Sequence, residues 1–172
     1  MEFKAFKAFK GNLENKYGEK FETGVVFSKN SDNLKFGEFG HGYHVAINLV
    51  DTFRFFNPCF DNTYCEVLCS GNVLLQKDYL YQSDDMYVVE KFQITKILSR
   101  EDILSYVYQA SPKDFESYLY LFPFTKDELV SLREWVLSLG GDYLRVFQVA
   151  NAYQTGEIST FKRNRKYLRK SL

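Results

Sequence analysis

Short apolar runs separated by turn residues follow one another through the first half of the chain, and this pattern predicts a β-sheet. Near the start, phenylalanine recurs at every third position, which matches neither a strict strand nor a long amphipathic helix. We interpret residues 3–9 as a strand, with a single helical turn as the alternative. Side chains alternate along a strand, so one face would carry Phe3, Ala5, Lys7 and Phe9.

Other segments of the first half also have strand character, because aromatic and β-branched residues are concentrated in them. They are residues 19–27, 43–47, 63–69, 73–77 and 86–98. The last segment has apolar residues at both odd and even positions, which predicts a bulge or a break within it. Residues 48–56 have apolar positions at helical spacing after Asn48, and Asn57-Pro58 would end this short helix. Residues 78–85 are polar and are predicted to form a loop.

The second half of the chain has helix signals instead. Ser99, Ser111 and Thr125 stand at N-cap positions before periodic apolar residues, and Gly140-Gly141 ends the third of these helices. Two more helices are predicted over 142–153 and 158–170.

Grouped strands followed by grouped helices predict an α+β protein. We expect a mixed or antiparallel sheet in the first ~98 residues, followed by four or five helices. The β-rich part would span 1–98 and the helical region 99–172. These parts are either two domains or two layers of one.

Aromatic residues make up 18% of the 172 residues, with 17 Phe, 13 Tyr and one Trp. Each aromatic side chain buries a large area, so a chain of this length can build a substantial core. Thirteen tyrosines also leave phenol groups at the surface, where they can serve an interface. We therefore expect a protein partner or a homo-oligomer.

Charge is balanced over the chain, with 22 basic and 22 acidic residues, but the C-terminal stretch is strongly basic. Its six basic residues are Lys162, Arg163, Arg165, Lys166, Arg169 and Lys170. This stretch is either a solvated helix end or a contact for nucleic acid. We favour the solvated end, since a neutral overall charge argues against nucleic acid as the main partner.

Residues 1–10 lack the unbroken apolar stretch of a secretory signal, and no apolar run approaches the ~20 residues of a membrane span. Three cysteines are an odd number, without a secretion signal beside them. We expect a soluble, cytoplasmic protein with reduced thiols and no membrane contact.

Both histidines of the chain, His41 and His44, lie in the run from Gly40 to His44, and Cys65 and Cys69 follow. In a strand the histidines would face opposite sides, and the cysteines would be ~13 Å apart at the rise of a strand. We therefore expect no metal site and no cofactor, and we interpret the cysteines as small buried apolar residues.

Other candidate chemistry is limited. No cysteine stands at a helix N-terminus that would activate a Cys–His pair, and the glycines at 37, 40 and 42 fit neither nucleotide-binding fingerprint. Glu66 and Glu90 lie in predicted strands and are candidate catalytic carboxylates. A glutamate on a strand is, however, more often a solvent-facing residue than a catalytic one. His41 and Tyr43 are the candidates for contact with a bound ligand.

Residues 3–104 contain a series of short motifs in a fixed order. They are Phe-Lys-Ala-Phe-Lys-Gly-Asn, Gly42 to Ala46 with Leu49-Val50-Asp51 and Phe55-Phe56, Tyr64 to Val67 with Ser70 to Val73, and Phe92-Gln93-Ile94 before Ile97-Leu98-Ser99. This series resembles a domain of unknown function in bacterial and phage proteins, sometimes found beside pentapeptide repeats. The resemblance implies no established activity. Ala46 stands where that family often has cysteine, which argues against a cysteine-based site.

The order of an early strand, a Gly-aromatic-His strand, a helix and a Glu-bearing strand is also similar to small ADP-ribosyltransferase-like folds. That similarity implies a nicotinamide dinucleotide held near His44, with Glu66 or Glu90 as the acting carboxylate. Two hypotheses therefore stand. The first is a bacterial or phage-related protein that acts through protein–protein contacts. The alternative is a nucleotide-binding enzyme centred on His44 and Glu66, so whether the protein is an enzyme stays open.

Overall fold

The computed structural model describes residues 2–30, 34–35, 41–78 and 83–154. The chain divides between Ser105 and Tyr106 into two compact units. The first unit contains the β-sheet and the second is helical. No helix in the described part of the chain is long and apolar enough to span a membrane.

Five strands and one short helix form most of the described part of the first unit. They are β1 (Phe3–Lys10), β2 (Val26–Ser28), β3 (Tyr43–Ala46), α1 (Leu49–Thr52), β4 (Asn62–Asp78) and β5 (Ser83–Ile97). Every pair among these strands is antiparallel. β4 runs along one edge of β5, while β3 and then β2 pair with the other edge. Since β1 joins β3 to β4, four strands close into a small barrel.

Side chains fill the interior of this barrel, as expected for a barrel of so few strands. The face of β1 predicted to carry Ala5 and Phe9 is the inner one, because both residues belong to the core and their neighbour Lys4 is exposed. The remaining core residues come from the other strands and from the segment before β2. They are Phe21, Tyr43, Val45, Cys65, Val67, Cys69, Val89, Phe92 and Ile94.

Four helices follow the barrel in the described residues. They are α2 (Arg100–Gln109), α3 (Pro112–Leu121), α4 (Lys126–Leu139) and α5 (Gly141–Gln154). The hydroxyls of Ser99, Ser111 and Thr125 accept hydrogen bonds from backbone N–H groups three residues on, at 3.1, 3.2 and 3.3 Å, which confirms these three helix starts. Asn48, expected as the N-cap of α1, makes no side-chain cap hydrogen bond. The predicted α+β class, with an antiparallel sheet followed by helices, is therefore confirmed. The predicted helix over 158–170 lies outside the described residues.

Four local predictions differ from the structure. The loop expected over 78–85 is wrong at both ends, since Asp78 belongs to β4 and β5 begins at Ser83. The strand expected over 19–27 forms only at its end, since Gly24 adopts a φ of 82° that interrupts it. The helix expected over 48–56 ends at Thr52, whose hydroxyl donates to the Leu49 carbonyl at 2.7 Å and competes with the backbone pattern. The segments 63–69 and 73–77 are one continuous strand, β4.

β-Bulges interrupt the regular alternation of apolar residues in β4 and β5. The register shifts between Ser70 and Val73, so two residues of β4 oppose one residue of β5. Gly71 supplies a φ of 82° there. A second shift leaves Thr95 of β5 unpaired between the partners of Glu66 and Val67, which confirms the predicted irregularity in this strand.

Candidate functional site

A lysine ammonium group lies inside the aromatic core of the barrel. β1 directs Lys7 inward between Ala5 and Phe9, because alternate side chains of a strand share a face. Its Nζ donates a hydrogen bond to the backbone oxygen of His44 at 2.8 Å. Three rings surround the nitrogen, with centroids at 5.5 Å (Phe9), 6.0 Å (Tyr43) and 5.5 Å (Phe92). We call Lys7 and these three rings the lysine cage.

Burial lowers the pKa of Lys7 from 10.5 to about 8. Desolvation is the dominant cause, since water no longer stabilises the charged form. The nearby ammonium of Lys29 lowers the pKa further, and Glu19, Cys65 and Cys69 oppose these effects. The amine is therefore close to half neutral at pH 8, although the residue as a whole keeps some solvent exposure.

A second lysine contacts the cage from outside the core. The Lys29 ammonium lies 4.8 Å from the centroid of the Tyr43 ring and 3.7 Å from a carboxylate oxygen of Glu19. Two cations thus share one aromatic ring, which is attractive for both through the ring quadrupole. Burial raises the pKa of Tyr43 to about 12, so its phenol stays protonated at neutral pH.

The cysteines beside the cage are buried thiols of low reactivity. Cys65 and Cys69 are both free and fully buried, and desolvation raises the pKa of each to about 12. A thiol is nucleophilic only as the thiolate, so neither residue is an activated nucleophile. This agrees with their interpretation as small apolar core residues. The third cysteine, Cys59, is exposed.

His44 lies on the opposite face of β3 from Tyr43 and Val45, which point into the core. Desolvation, followed by the charges of Lys7, Lys16 and Lys29, lowers the pKa of His44 from 6.5 to about 4. The imidazole is therefore neutral at physiological pH. A neutral histidine next to three cations can accept a hydrogen bond but is not a charged anchor for a ligand.

This pKa predicts that His44 makes the protein acid-sensitive. Between pH 4 and 6.5 the unfolded chain binds more protons at this position than the folded chain, so stability falls as the pH is lowered through that range. After discounting for partial solvent exposure, we expect His44→Gln to remove about 2 kcal/mol of this loss. Urea unfolding of wild type and variant at pH 7 and pH 4.5 measures the free energy of unfolding that each loses on acidification. His41→Gln, at an exposed histidine, is the matched control, and an identical pH response of both variants would contradict the prediction.

The two candidate glutamates are far from each other. Glu66 is opposite Lys96 of β5, whereas Glu90 accepts a hydrogen bond from the Asn72 backbone N–H at 2.9 Å across the bulge. Glu90 and Lys96 are six positions apart along β5, or ~20 Å at the rise of a strand. The Asn72 hydrogen bond, together with the Lys91 ammonium, lowers the pKa of Glu90. The structure therefore does not bring these two carboxylates together as an acid–base pair.

His44 and Glu66 share the outer side of the barrel but are not adjacent. Phe6 of β1 stands opposite both Ala46 and Glu66, so a whole strand separates the histidine strand from the glutamate strand. At the usual strand spacing this places Glu66 ~10 Å from Ala46. Nothing in this placement tests the nucleotide-binding hypothesis, which stays a prediction.

Gly42 explains why the Gly-Tyr-His unit has its sequence. Its φ is 112°, which favours glycine, and a Cβ at this position would overlap the side chain of Val88. His41 precedes it, is exposed, and accepts a hydrogen bond from the Lys35 N–H at 2.9 Å through its backbone oxygen. The unit is therefore a sterically demanding entry into β3.

Alternation along β1 predicts that Lys7 shares a face with Phe3, Ala5 and Phe9, but it does not indicate that Lys7 forms a site. The signal was available, since Lys7 is the one charged residue among Phe3, Ala5 and Phe9 on that face. Its contacts with Tyr43 and Phe92 form when the barrel closes, so the local sequence around Lys7 does not predict them.

In the described ranges, no three His, Cys, Asp or Glu side chains are grouped so that they could hold a metal ion. The basic stretch from Lys162 to Lys170 lies outside those ranges, and its role stays a prediction. No family model, curated protein or solved structure matches the chain. The resemblance to the bacterial and phage domain therefore also stays a prediction.

Proposed function

We propose that this chain is a cytoplasmic bacterial or phage-related protein that acts by binding another protein. The contact surface in this proposal is the aromatic loop, defined as residues 53–61 between α1 and β4. One observation carries it: Phe55 is 60% exposed and Phe60 is 72% exposed on the same short loop. Single exposed apolar residues are normal on protein surfaces, but two phenylalanines on one ordered loop are costly in water and suited to an interface.

Hydrogen bonds hold the backbone of the aromatic loop in one conformation. The Asn57 side-chain oxygen accepts from the Cys59 N–H at 2.8 Å, and its backbone oxygen accepts from the Asn62 side chain at 2.8 Å. The Tyr64 hydroxyl donates to the Phe56 carbonyl at 2.6 Å. A loop that is already ordered loses little entropy on binding, so its two exposed rings are preorganised as anchors.

The shape of this loop favours a different protein over a second copy. A symmetric dimer needs a self-complementary surface, whereas two projecting rings need a concave one. The partner in this proposal therefore has an apolar pocket that receives Phe55 and Phe60.

Site-specific photocrosslinking in the producing cells tests the proposal. A photoreactive phenylalanine analogue is placed at position 55, 60 or 17, where Tyr17 is a matched aromatic control with 65% exposure. We expect positions 55 and 60 to yield an adduct with the same protein, and position 17 to yield none. The purified partner should then bind Phe60→Ser at least tenfold more weakly than wild type.

Three results would contradict the proposal. Positions 55 and 60 could give no adduct, or position 17 could give the same adduct as they do. An adduct between two copies of this chain would instead identify the loop as a homo-oligomer contact, which overturns the choice of a different protein as partner.

A further inference from the structure

The lysine cage combines the two conditions that make a lysine amine nucleophilic. A lysine is activated when it is desolvated in an apolar site, and also when a second cation is close to it. The Lys7 nitrogen is surrounded by the rings of Phe9, Tyr43 and Phe92. Lys29 lies on the same Tyr43 ring, at 4.8 Å from its centroid compared with 6.0 Å for Lys7.

We propose that Lys7 is a covalent attachment site for a small aldehyde that carries an anionic group, and that Lys29 pairs with that group. The proposal is independent of the protein contact made by the aromatic loop. The His44 carbonyl accepts a hydrogen bond from the Lys7 nitrogen at 2.8 Å. This bond uses one amine hydrogen and fixes the position of the nitrogen, while the lone pair of the neutral amine stays available for a carbonyl carbon.

The reaction balances without an oxidant or a reductant. The lone pair of the neutral amine attacks the aldehyde carbon and forms a carbinolamine. The carbonyl oxygen then leaves as one water molecule together with the two amine hydrogens, and a C=N bond replaces the C=O bond.

The charges around the amine set its pH dependence. The groups that face Lys7 are Lys29 and Glu19 from the segments flanking β2, Cys65 and Cys69 from β4, and Tyr43 and His44 from β3. Glu19 already pairs with Lys29 at 3.7 Å, so an incoming anionic group would compete with that carboxylate. With a pKa of about 8 for Lys7, about half of the amine is neutral at pH 8, against less than ~1% of an ordinary lysine.

Reductive trapping tests the site. Wild-type protein is treated at pH 8 with glyoxylate, an aldehyde with a carboxylate, or with acetaldehyde, which has none, and borohydride then reduces any imine to a stable secondary amine. Peptide mapping compares Lys7 with Lys4, an exposed lysine on the same strand. We expect Lys7 to be labelled at least tenfold faster than Lys4, with a rate that rises through pH 8. Labelling of Lys7 at or below the rate of Lys4 would overturn the site, and this comparison needs no variant.

Lys29→Met tests the anion-binding part. The substitution changes the basicity of Lys7 equally for both aldehydes, so the ratio of glyoxylate to acetaldehyde labelling isolates the contact with the carboxylate. We expect this ratio to fall at least threefold. An unchanged ratio in a variant with wild-type circular dichroism would overturn the role of Lys29.

Discussion

Replacing Phe92 by alanine is expected to destabilise the barrel by about 3–5 kcal/mol, the usual cost of removing a fully buried aromatic side chain. Phe92 is 1% exposed. Its ring lies at the centre of the core, with centroid distances of 4.7 Å to Tyr43, 5.5 Å to Phe21 and 5.5 Å to Phe27. It also forms one wall of the lysine cage, at 5.5 Å from the Lys7 nitrogen. The substitution would leave a cavity beside a cation, which surrounding side chains cannot fill without moving.

Amide hydrogen exchange in peptides from β4 and β5, measured across a urea series, reports on this unit directly. The single tryptophan of the chain, Trp135, belongs to the helical unit, and its fluorescence reports on that unit separately. Phe60→Ala is the matched control, since it removes the same ring from a site with 72% exposure and should change stability by less than about 0.5 kcal/mol. Equal effects of the two substitutions would contradict the placement of Phe92 in the core.

Local pattern predicted those elements whose signals are contained within a few residues. The N-caps at Ser99, Ser111 and Thr125 were correct because a cap is a contact between a side chain and the backbone three residues on. The residues that share one face of β1 were predicted correctly because alternation along a strand needs no knowledge of its partners.

Features that depend on partners distant in sequence could not be predicted in this way. Barrel closure needs β1 to pair with both β3 and β4, and neither pairing has a local signature. The bulge at Gly71 divided one long strand into two apparent segments, because the apolar alternation changes phase there. The candidate site likewise depends on contacts between residues distant in sequence. Lys7 and Lys29 are 22 positions apart, and both ammonium groups contact the Tyr43 ring.

Replacing Lys7 by methionine is expected to stabilise the protein at pH 7 by about 2 kcal/mol. The pKa of Lys7 is about 8 in the folded chain against 10.5 ordinarily, and a difference of this size corresponds to roughly 3 kcal/mol of cost for burying the charge. Methionine has a similar shape and packs well against aromatic rings. It loses the hydrogen bond to the His44 carbonyl, which offsets about 1 kcal/mol of the gain.

The sign of the pH dependence distinguishes this explanation from a simple packing effect. Between pH 8 and 10.5 the unfolded chain binds more protons at position 7 than the folded chain, so wild-type stability rises with pH through that range. The advantage of Lys7→Met should therefore be fully present below pH 8 and should narrow as the pH approaches 10.5. Urea unfolding of wild type and Lys7→Met at pH 7 and pH 10 measures how the difference between their free energies of unfolding changes. Lys4→Met, at an exposed position of the same strand, should show no such narrowing. If Lys7→Met were instead less stable than wild type at pH 7, the hydrogen bond and the three rings would outweigh desolvation, and the cage would be a stabilising cation site.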